Sequence, residues 1–453
     1  MLLEYPSINV IILDGLKIYM QPIVLGRNQT DIKKYGEEAT VPLGKHYIQM
    51  EREKSLANPI LLDVNRPHII LISGKRGGGK SYTMGVMAEG LANLKHDLKQ
   101  NISTVIFDTM GIYWTMKHPN YRDEKLVREW NLKPTALKPR IFIPFGLAEE
   151  YKNKGLPFDF ELSVSPSELE AREWCNLFKI DFNSNAGILI ERAILSLKKK
   201  KFSMTDIIKK LQTDDRATDE DKNLTIARFE AVEKWSLFSD DATDFNKITK
   251  AGETSIIDLS AYNFLDEGQE IKELVIAIFC KNILKTRLLA RKQEEVEEVK
   301  NLSLKKNDKA PLAWIFIDEA HEFLPKEGET LASKPLIQLL REGRQPGISL
   351  ILATQQPGKI HTDVMTQSDI VISHRITAKL DVNALNDIMQ SYLAFDVQRY
   401  IDNLPKIKGS AIALDDNSEK MFPMQIQPRI SWHGGEDPRV IRNTLKSALM
   451  KDF

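Results

Sequence analysis

His68-Ile-Ile-Leu-Ile-Ser-Gly74-Lys-Arg-Gly-Gly-Gly-Lys80-Ser81 is the stretch on which the reading of this chain turns. A short apolar run ends at a glycine-rich turn, and SYTMGVMAEGLANL (81–94) then spaces its apolar residues as a helix does. Strand, loop and helix in that order, with G-x-x-x-x-G-K-[ST] at the turn, predict a phosphate-binding loop. Glycines let backbone N–H groups converge on phosphate oxygens, and the helix N-terminus adds partial positive charge. The expected contacts to ATP are therefore Gly74, Lys75, Arg76, Gly77, Gly78, Gly79, Lys80, Ser81 and Tyr82. Lys80 is expected to reach the β- and γ-phosphates and Ser81 to hold Mg²⁺.

A phosphate loop alone does not separate a kinase from a GTPase or a motor. The run LAWIFIDEAH (312–321) narrows the choice, because it sets Asp318 and Glu319 at the end of an apolar strand. Two adjacent acids there are costly unless their charges are used. Asp318 is expected at the Mg²⁺ and Glu319 at the attacking water. His321 reads equally as a residue coupling the acids to a neighbouring element or as a hydrogen-bonded structural histidine.

Further on, LLREGRQPGISLILATQQPGKI (339–360) puts Arg341 and Arg344 before a buried strand and Gln355 and Gln356 after it. Arg344 or Arg341 is a candidate to meet a neighbouring subunit's γ-phosphate, and a surface arginine near a helix C-terminus is the plain alternative. Gln355 or Gln356 is a candidate γ-phosphate sensor at the crevice expected over such strands, or an ordinary polar strand end.

Working outward, Thr104–Phe107, Arg140–Phe145, Thr254–Ser260, Asp369–Ile376 and Gly409–Asp416 read as further strands. Helical stretches separate them, near Pro335–Arg344 and Val382–Tyr392 and from Gln269 into the acidic run EEVEEVKN. The expected fold is α/β, a doubly wound and mainly parallel sheet forming a RecA-like P-loop ATPase core. The core is expected over 68–160 and 254–432, a helical insertion over 161–253, a small β-rich module over 1–67 and a tail over 433–453.

The 453 residues carry 63 basic and 63 acidic side chains, which excludes a globally basic nucleic-acid coat. Hydrophobic residues at 42% and charged ones at 28% describe an ordinary globular chain. Two cysteines, Cys175 and Cys280, make neither a disulfide framework nor a thiolate cage, and point to a reducing compartment. Glu4, Asp14 and Lys17 interrupt what a signal peptide would need, and no stretch is long and uncharged enough for a membrane span. A cytoplasmic protein without membrane partners is the expectation.

These motifs together resemble the HerA/FtsK class of P-loop ATPases and, within it, the HerA-like proteins. GKRGGGKSYTMGVMAEGL, IFIDEAHEFLP, REGRQPGISLILATQQPG, TQSDIVISHRIT and PRISWHGGEDP carry the resemblance. It implies a homohexameric ring that moves double-stranded DNA through its channel, beside a NurA-like nuclease or a defence effector. It also implies Lys80 and Ser81 as Walker A residues, Asp318 and Glu319 as the Walker B pair, Arg344 as the trans-acting arginine and Gln356 or Gln355 as the sensor.

Two departures stand out. Only about 67 residues precede the core strand, where archaeal relatives carry a larger β-barrel, and Ile112 stands where many relatives have glutamate. Asp108, just before it, reads as a turn residue or as a group hydrogen-bonding near the nucleotide. Lys326, Lys334 and Lys359 lie in loops next to the catalytic strands and are candidate DNA contacts. A ring that scaffolds or switches an effector without moving DNA is the competing reading. For the motor, net neutrality predicts segregated charge, with acids at the nucleotide site and a basic lining in the channel.

Overall fold

The apolar runs around the phosphate loop become the middle of one large sheet in the computed structural model. It describes residues 10–13, 16–19, 21–50, 53–198, 201–300, 310–375, 383 and 404–435. In chain order the strands are β1 (Val10–Leu13), β2 (Leu16–Tyr19), β3 (Ile23–Leu25), β4 (Thr40–Met50), β5 (Glu53–Asp63), β6 (Ile69–Ser73), β7 (Ile102–Asp108) and β8 (Arg140–Pro144). They continue as β9 (Phe160–Leu162), β10 (Thr254–Asp258), β11 (Leu312–Ile317), β12 (Ile348–Thr354), β13 (Ile370–His374), β14 (Ser410–Asp415) and β15 (Lys420–Ile426).

β1 and β2 form an antiparallel pair of their own, and the other strands make a thirteen-stranded sheet in the order β3-β5-β4-β15-β14-β13-β6-β12-β11-β7-β10-β8-β9. From β13 to β9 every pairing is parallel. The mainly parallel α/β core expected from the sequence is therefore present. What the sequence reading did not anticipate is the antiparallel half, β14, β15, β4 and β5, which draws residues of the first 67 into the same sheet.

The central strands are apolar on both faces because both faces are covered. On one, Leu71, Phe107, Ile315 and Leu350 pack under the helices Ala171–Phe178, Gly268–Lys300 and Ser333–Glu342. On the other, Ile70, Ile106, Phe316 and Ile351 pack under the phosphate-loop helix Lys80–Ala92. That helix is itself enclosed: a Cβ on Gly85 would lie 2.6 Å from the guanidinium carbon of Arg429, so only glycine admits the returning C-terminal segment.

Between β9 and β10 run four helices of eight residues or more, built around Trp174 and Phe229, whose rings are 4.9 Å apart. The acidic run stays helical as far as Lys300, with Arg291 paired to Glu294, Glu295 and Glu298. The helix expected at Val382–Tyr392, Ile376 at the end of β13's motif, and the tail beyond residue 435 lie outside the described residues. Among the described residues, no helix is long and apolar enough to cross a membrane.

A buried polar cluster joins the N-terminal strands to the core. His68, just ahead of β6, sets Nδ1 2.6 Å from Asp369 and Nε2 3.2 Å from Asp63, and Asp63 also accepts from Arg27. Burial opposes the imidazolium charge, but two carboxylates on its two nitrogens outweigh it and push the pKa up to about 9. The stabilisation from this proton is complete below pH 6.5 and is lost as pH rises to about 9. Its ceiling is about 3 kcal/mol. Urea denaturation should show the wild type losing more stability than His68→Gln between those pH values, and parallel curves would show that the cluster does not carry this proton.

Candidate nucleotide site

The loop Gly74–Gly79 leaves β6 and turns into its helix at Gly79, whose φ of +113° only glycine adopts readily. The loop rests on a side chain from the neighbouring strand. His374, at the end of β13, is fully buried, and a Cβ on Gly74 would lie 2.7 Å from His374 Cβ. His374 Nδ1 lies 3.2 Å from the Ser410 carbonyl and Nε2 2.8 Å from the Thr83 hydroxyl. Nδ1–H donates to the former and Nε2 accepts from the latter, so the ring is neutral; burial lowers its pKa to about 4.

Lys80 is buried at the loop's end, where burial lowers its pKa and the charges of Glu319 and Asp318 pull it back up. The Ser81 hydroxyl donates to Asp318 at 2.5 Å. Asp318 is pushed up by burial, an effect that the Ser81 hydrogen bond and Lys80 only partly offset. Both opposite charges are thus poorly solvated. The hydroxyl and carboxylate oxygens of Ser81 and Asp318 are the hard donors that Mg²⁺ selects, and a cation there would relieve the buried carboxylate. Ser81 and Asp318 fit the metal that a phosphate loop implies.

Glu319 takes a left-handed backbone conformation, φ +51°, at the turn after β11. Gln355 Nε2 donates to its Oε1, while Oε2 is buried without a hydrogen-bond partner. His321 Nδ1 is 3.5 Å from that oxygen, but it engages the Thr354 hydroxyl at 3.1 Å, and burial holds the ring below the usual histidine range. Gln356 Nε2 stands 3.4 Å from His321 Nε2. The structure thus brings Gln355 to Glu319 and Gln356 to His321, dividing the two glutamines left open by the sequence. A carboxylate with one oxygen held and the other unpartnered can orient and polarise a water.

Other expected residues are placed differently. Lys75, Arg76 and Gly77 are exposed at the loop's tip. Tyr82 turns its hydroxyl to the C-terminal segment, accepting the Arg429 N–H at 2.7 Å, so its side chain is committed there. Arg341 pairs with Asp363 at 2.6 Å and Arg344 donates to the Gln367 carbonyl. Both precede β12, at the sheet edge opposite the loop. Asp108 accepts from the backbone N–H groups of Tyr113 at 2.7 Å and Met110 at 3.3 Å, the turn role. Burial and then Asp258 push its pKa up to about 7. Lys326 and Lys359 are exposed neighbours on one ledge, with Lys326 N–H donating to the Lys359 carbonyl, whereas Lys334 is paired with Glu329 at 3.1 Å.

The family model described as "Helicase HerA, central domain" matches residues 41–283, more than half of the chain. The chain belongs to the HerA helicase family. A model described as "Zonular occludens toxin (Zot)" matches residues 254–407. The "Probable DNA double-strand break repair helicase HerA" of Methanocaldococcus jannaschii is 24% identical over 347 residues, 71% of this chain and 65% of that protein. The HerA of Sulfurisphaera tokodaii is 24% identical over 351 residues, 76% of this chain and 61% of that one. This HerA-family chain thus spans less than two-thirds of each relative's length. Among solved structures, VirB4 of Thermoanaerobacter pseudethanolicus has the same fold, with a TM-score of 0.55 at 12% identity, covering 86% of this chain and 96% of that one.

Sequence reasoning missed His374 and the pair Glu89–Arg429. Glu89, buried in the phosphate-loop helix, accepts from Arg429 Nε at 3.0 Å and from the Ile430 and Ser431 N–H groups. The available signal was PRISWHGG (428–435), part of one of the stretches that carry the family resemblance. Lys80→Ala should weaken binding of a fluorescent ATP analogue by about 10- to 100-fold, the loss of a charge-assisted contact. Unchanged affinity would remove Lys80 from the phosphate site.

Proposed function

We propose that the chain hydrolyses ATP and, as a homohexameric ring, uses that hydrolysis to move along or unwind double-stranded DNA. The observation that carries this reading is a site lacking one charge. Lys80, Ser81, Asp318, Glu319 and Gln355 converge at the C-terminal edge of the strands, whereas Arg344 stands at the far end of β12. Seven strand residues separate Arg344 from Gln355, about 20 Å and beyond an arginine's reach. A head-to-tail neighbour would bring its own Arg344 to the open side of Glu319, and such heterologous contacts close as rings.

In this reading Lys80 and the loop N–H groups bind the phosphates, and Glu319 Oε2 accepts a hydrogen bond from the attacking water while Gln355 fixes the carboxylate. Ser81 and Asp318 would hold Mg²⁺, whose charge would help neutralise the phosphates when bound. DNA as the track is supported by the relatives' description as double-strand break repair helicases. Lys326 and Lys359 are the best-placed phosphate contacts, sharing the edge of the nucleotide site.

We take 68–160 and 254–432 as the motor core, 161–253 as its insertion, 1–67 as a small β-rich module, a reduced barrel or an assembly element, and 433–453 as a C-terminal tail. A NurA-like nuclease or a defence effector is the partner class, in the cytoplasm.

Glu319→Gln and Arg344→Ala should each reduce ATP turnover by about 10²-fold or more while still binding nucleotide. In mixed rings an Arg344→Ala subunit keeps Glu319 and its Glu319→Gln neighbour keeps Arg344, so random mixing should restore about a quarter of wild-type turnover. Mixed rings as inactive as their parents would exclude a trans arginine.

A further inference from the structure

The turn after β10 displays the most exposed large apolar side chain among the described residues, Phe264 at 91% exposure. Leu265 follows it at 41%, and Met110, on the adjoining loop after β7, is 61% exposed. Both loops rise from the strand edge that carries the nucleotide site, since β10 pairs with β7 and β7 with β11.

This tip is held from several sides. Asp258 accepts from the Ser260 N–H at 2.9 Å and the Ser260 hydroxyl at 2.6 Å, and Tyr262 is buried beneath. A Cβ on Gly268 would stand 1.9 Å from the Tyr262 carbonyl oxygen, so the turn closes only over glycine. Gly111, at φ +68°, brings the Met110 loop against Ser260, where a Cβ would stand 2.6 Å from the hydroxyl. Asn263 donates to the Thr109 carbonyl at 2.9 Å and accepts from Lys272 at 3.0 Å, whose ammonium lies 3.9 Å from Glu322. The turn that presents Phe264 is thus held in advance, and docking onto a partner costs little backbone entropy.

The surroundings select the partner. Asp266, Glu267 and Glu322 are exposed around the tip, so DNA phosphates are repelled there. The complementary surface is on the opposite edge of the same chain, where Arg344 lies exposed before β12 and Arg66 and Arg341, though paired within the chain to Asp31 and Asp363, keep their side chains 57% and 60% exposed. We propose that Phe264, with Met110 and Leu265, is the apolar anchor by which one copy of the chain docks onto the arginine-bearing edge of the next. The proposal rests on the ring reading above and names the residues that hold the contact through which Arg344 is delivered. A buried aromatic anchor inside a polar rim is a common form of protein interface.

Sedimentation velocity of the full chain with a non-hydrolysable ATP analogue, over a range of protein concentrations, tests it. Phe264→Ser should raise the midpoint of assembly about thirty-fold. Phe264→Leu should stay near wild type, and the nucleotide affinity of dilute, unassembled chains should be unchanged in both. A photoreactive phenylalanine analogue at position 264, which keeps the ring, should cross-link to another copy in the region 341–345. Rings of Phe264→Ser forming at wild-type concentrations, or cross-links to duplex DNA or within the same chain, overturn the anchor while leaving the ring intact. A wild-type chain that assembles at no concentration overturns the ring reading itself, and the anchor with it.

Discussion

Asp318 is almost fully buried at the end of β11, and its charge is met by one hydroxyl, Ser81, one backbone N–H, that of Glu319, and one ammonium, Lys80. Each of those groups is also poorly solvated, and much of the surrounding architecture keeps them within reach of one another. β12 separates β6 from β11, so the phosphate loop must span that strand to bring Ser81 to Asp318. The loop holds this shape because His374 fills the space under Gly74 and Gly79. The helix it opens is anchored from the far side by Glu89 and Arg429. A buried carboxylate and ammonium that compensate each other only in part form a receptor for a charged ligand rather than a stabilising pair.

The centre of this arrangement is legible in the sequence for a physical reason. Strands buried on both faces must be continuous apolar runs, and HIILIS, WIFI and ISLILAT are such runs, each ending in residues too polar or too glycine-rich for any other place. The Walker residues follow from local order alone. His374 does not, because a histidine after DIVIS acquires its role only when β13 is laid beside β6. Glu89 and Arg429 are likewise 340 residues apart, and each reads locally as a solvated charge. The antiparallel half of the sheet is illegible for a related reason, since β4 and β5 alternate like any half-exposed strands and their attachment through β15 is a long-range pairing. The division between Gln355 and Gln356 also needed coordinates, because adjacent residues at a strand end point apart.

The position of Arg344 is the other fact that local order leaves open. Its spacing before β12 suits a helix C-terminus as well as a catalytic role, and the structure shows it donating to the Gln367 carbonyl. What separates the two roles is distance along β12: a residue at the start of a strand cannot serve a site at its end. Within one chain Arg344 is held by the Gln367 carbonyl, and in the proposed ring a second chain would give it access to phosphate. The same hydrogen bond that satisfies it in isolation sets the cost of recruiting it, so the proposed assembly would have to offer more than one carbonyl in exchange.

Net charge acquires a direction from this geometry. Sixty-three positive and sixty-three negative side chains cancel in the sum. Along the strands, however, Asp318, Glu319, Glu322, Asp266 and Glu267 gather at or beside the edge where the nucleotide site lies, with Lys75, Arg76, Lys326 and Lys359 exposed among them, while at the other edge Arg344 is exposed and Arg66 and Arg341 are paired with Asp31 and Asp363. Two such chains placed side by side in the same sense set like edges together, whereas head-to-tail placement sets unlike ones together. Neutrality of the whole is therefore compatible with an acidic tip at one edge and an exposed arginine at the other. It would favour the heterologous contact of the proposed ring, and it leaves the lysine ledge of Lys326 and Lys359 as cationic surface beside the acidic site.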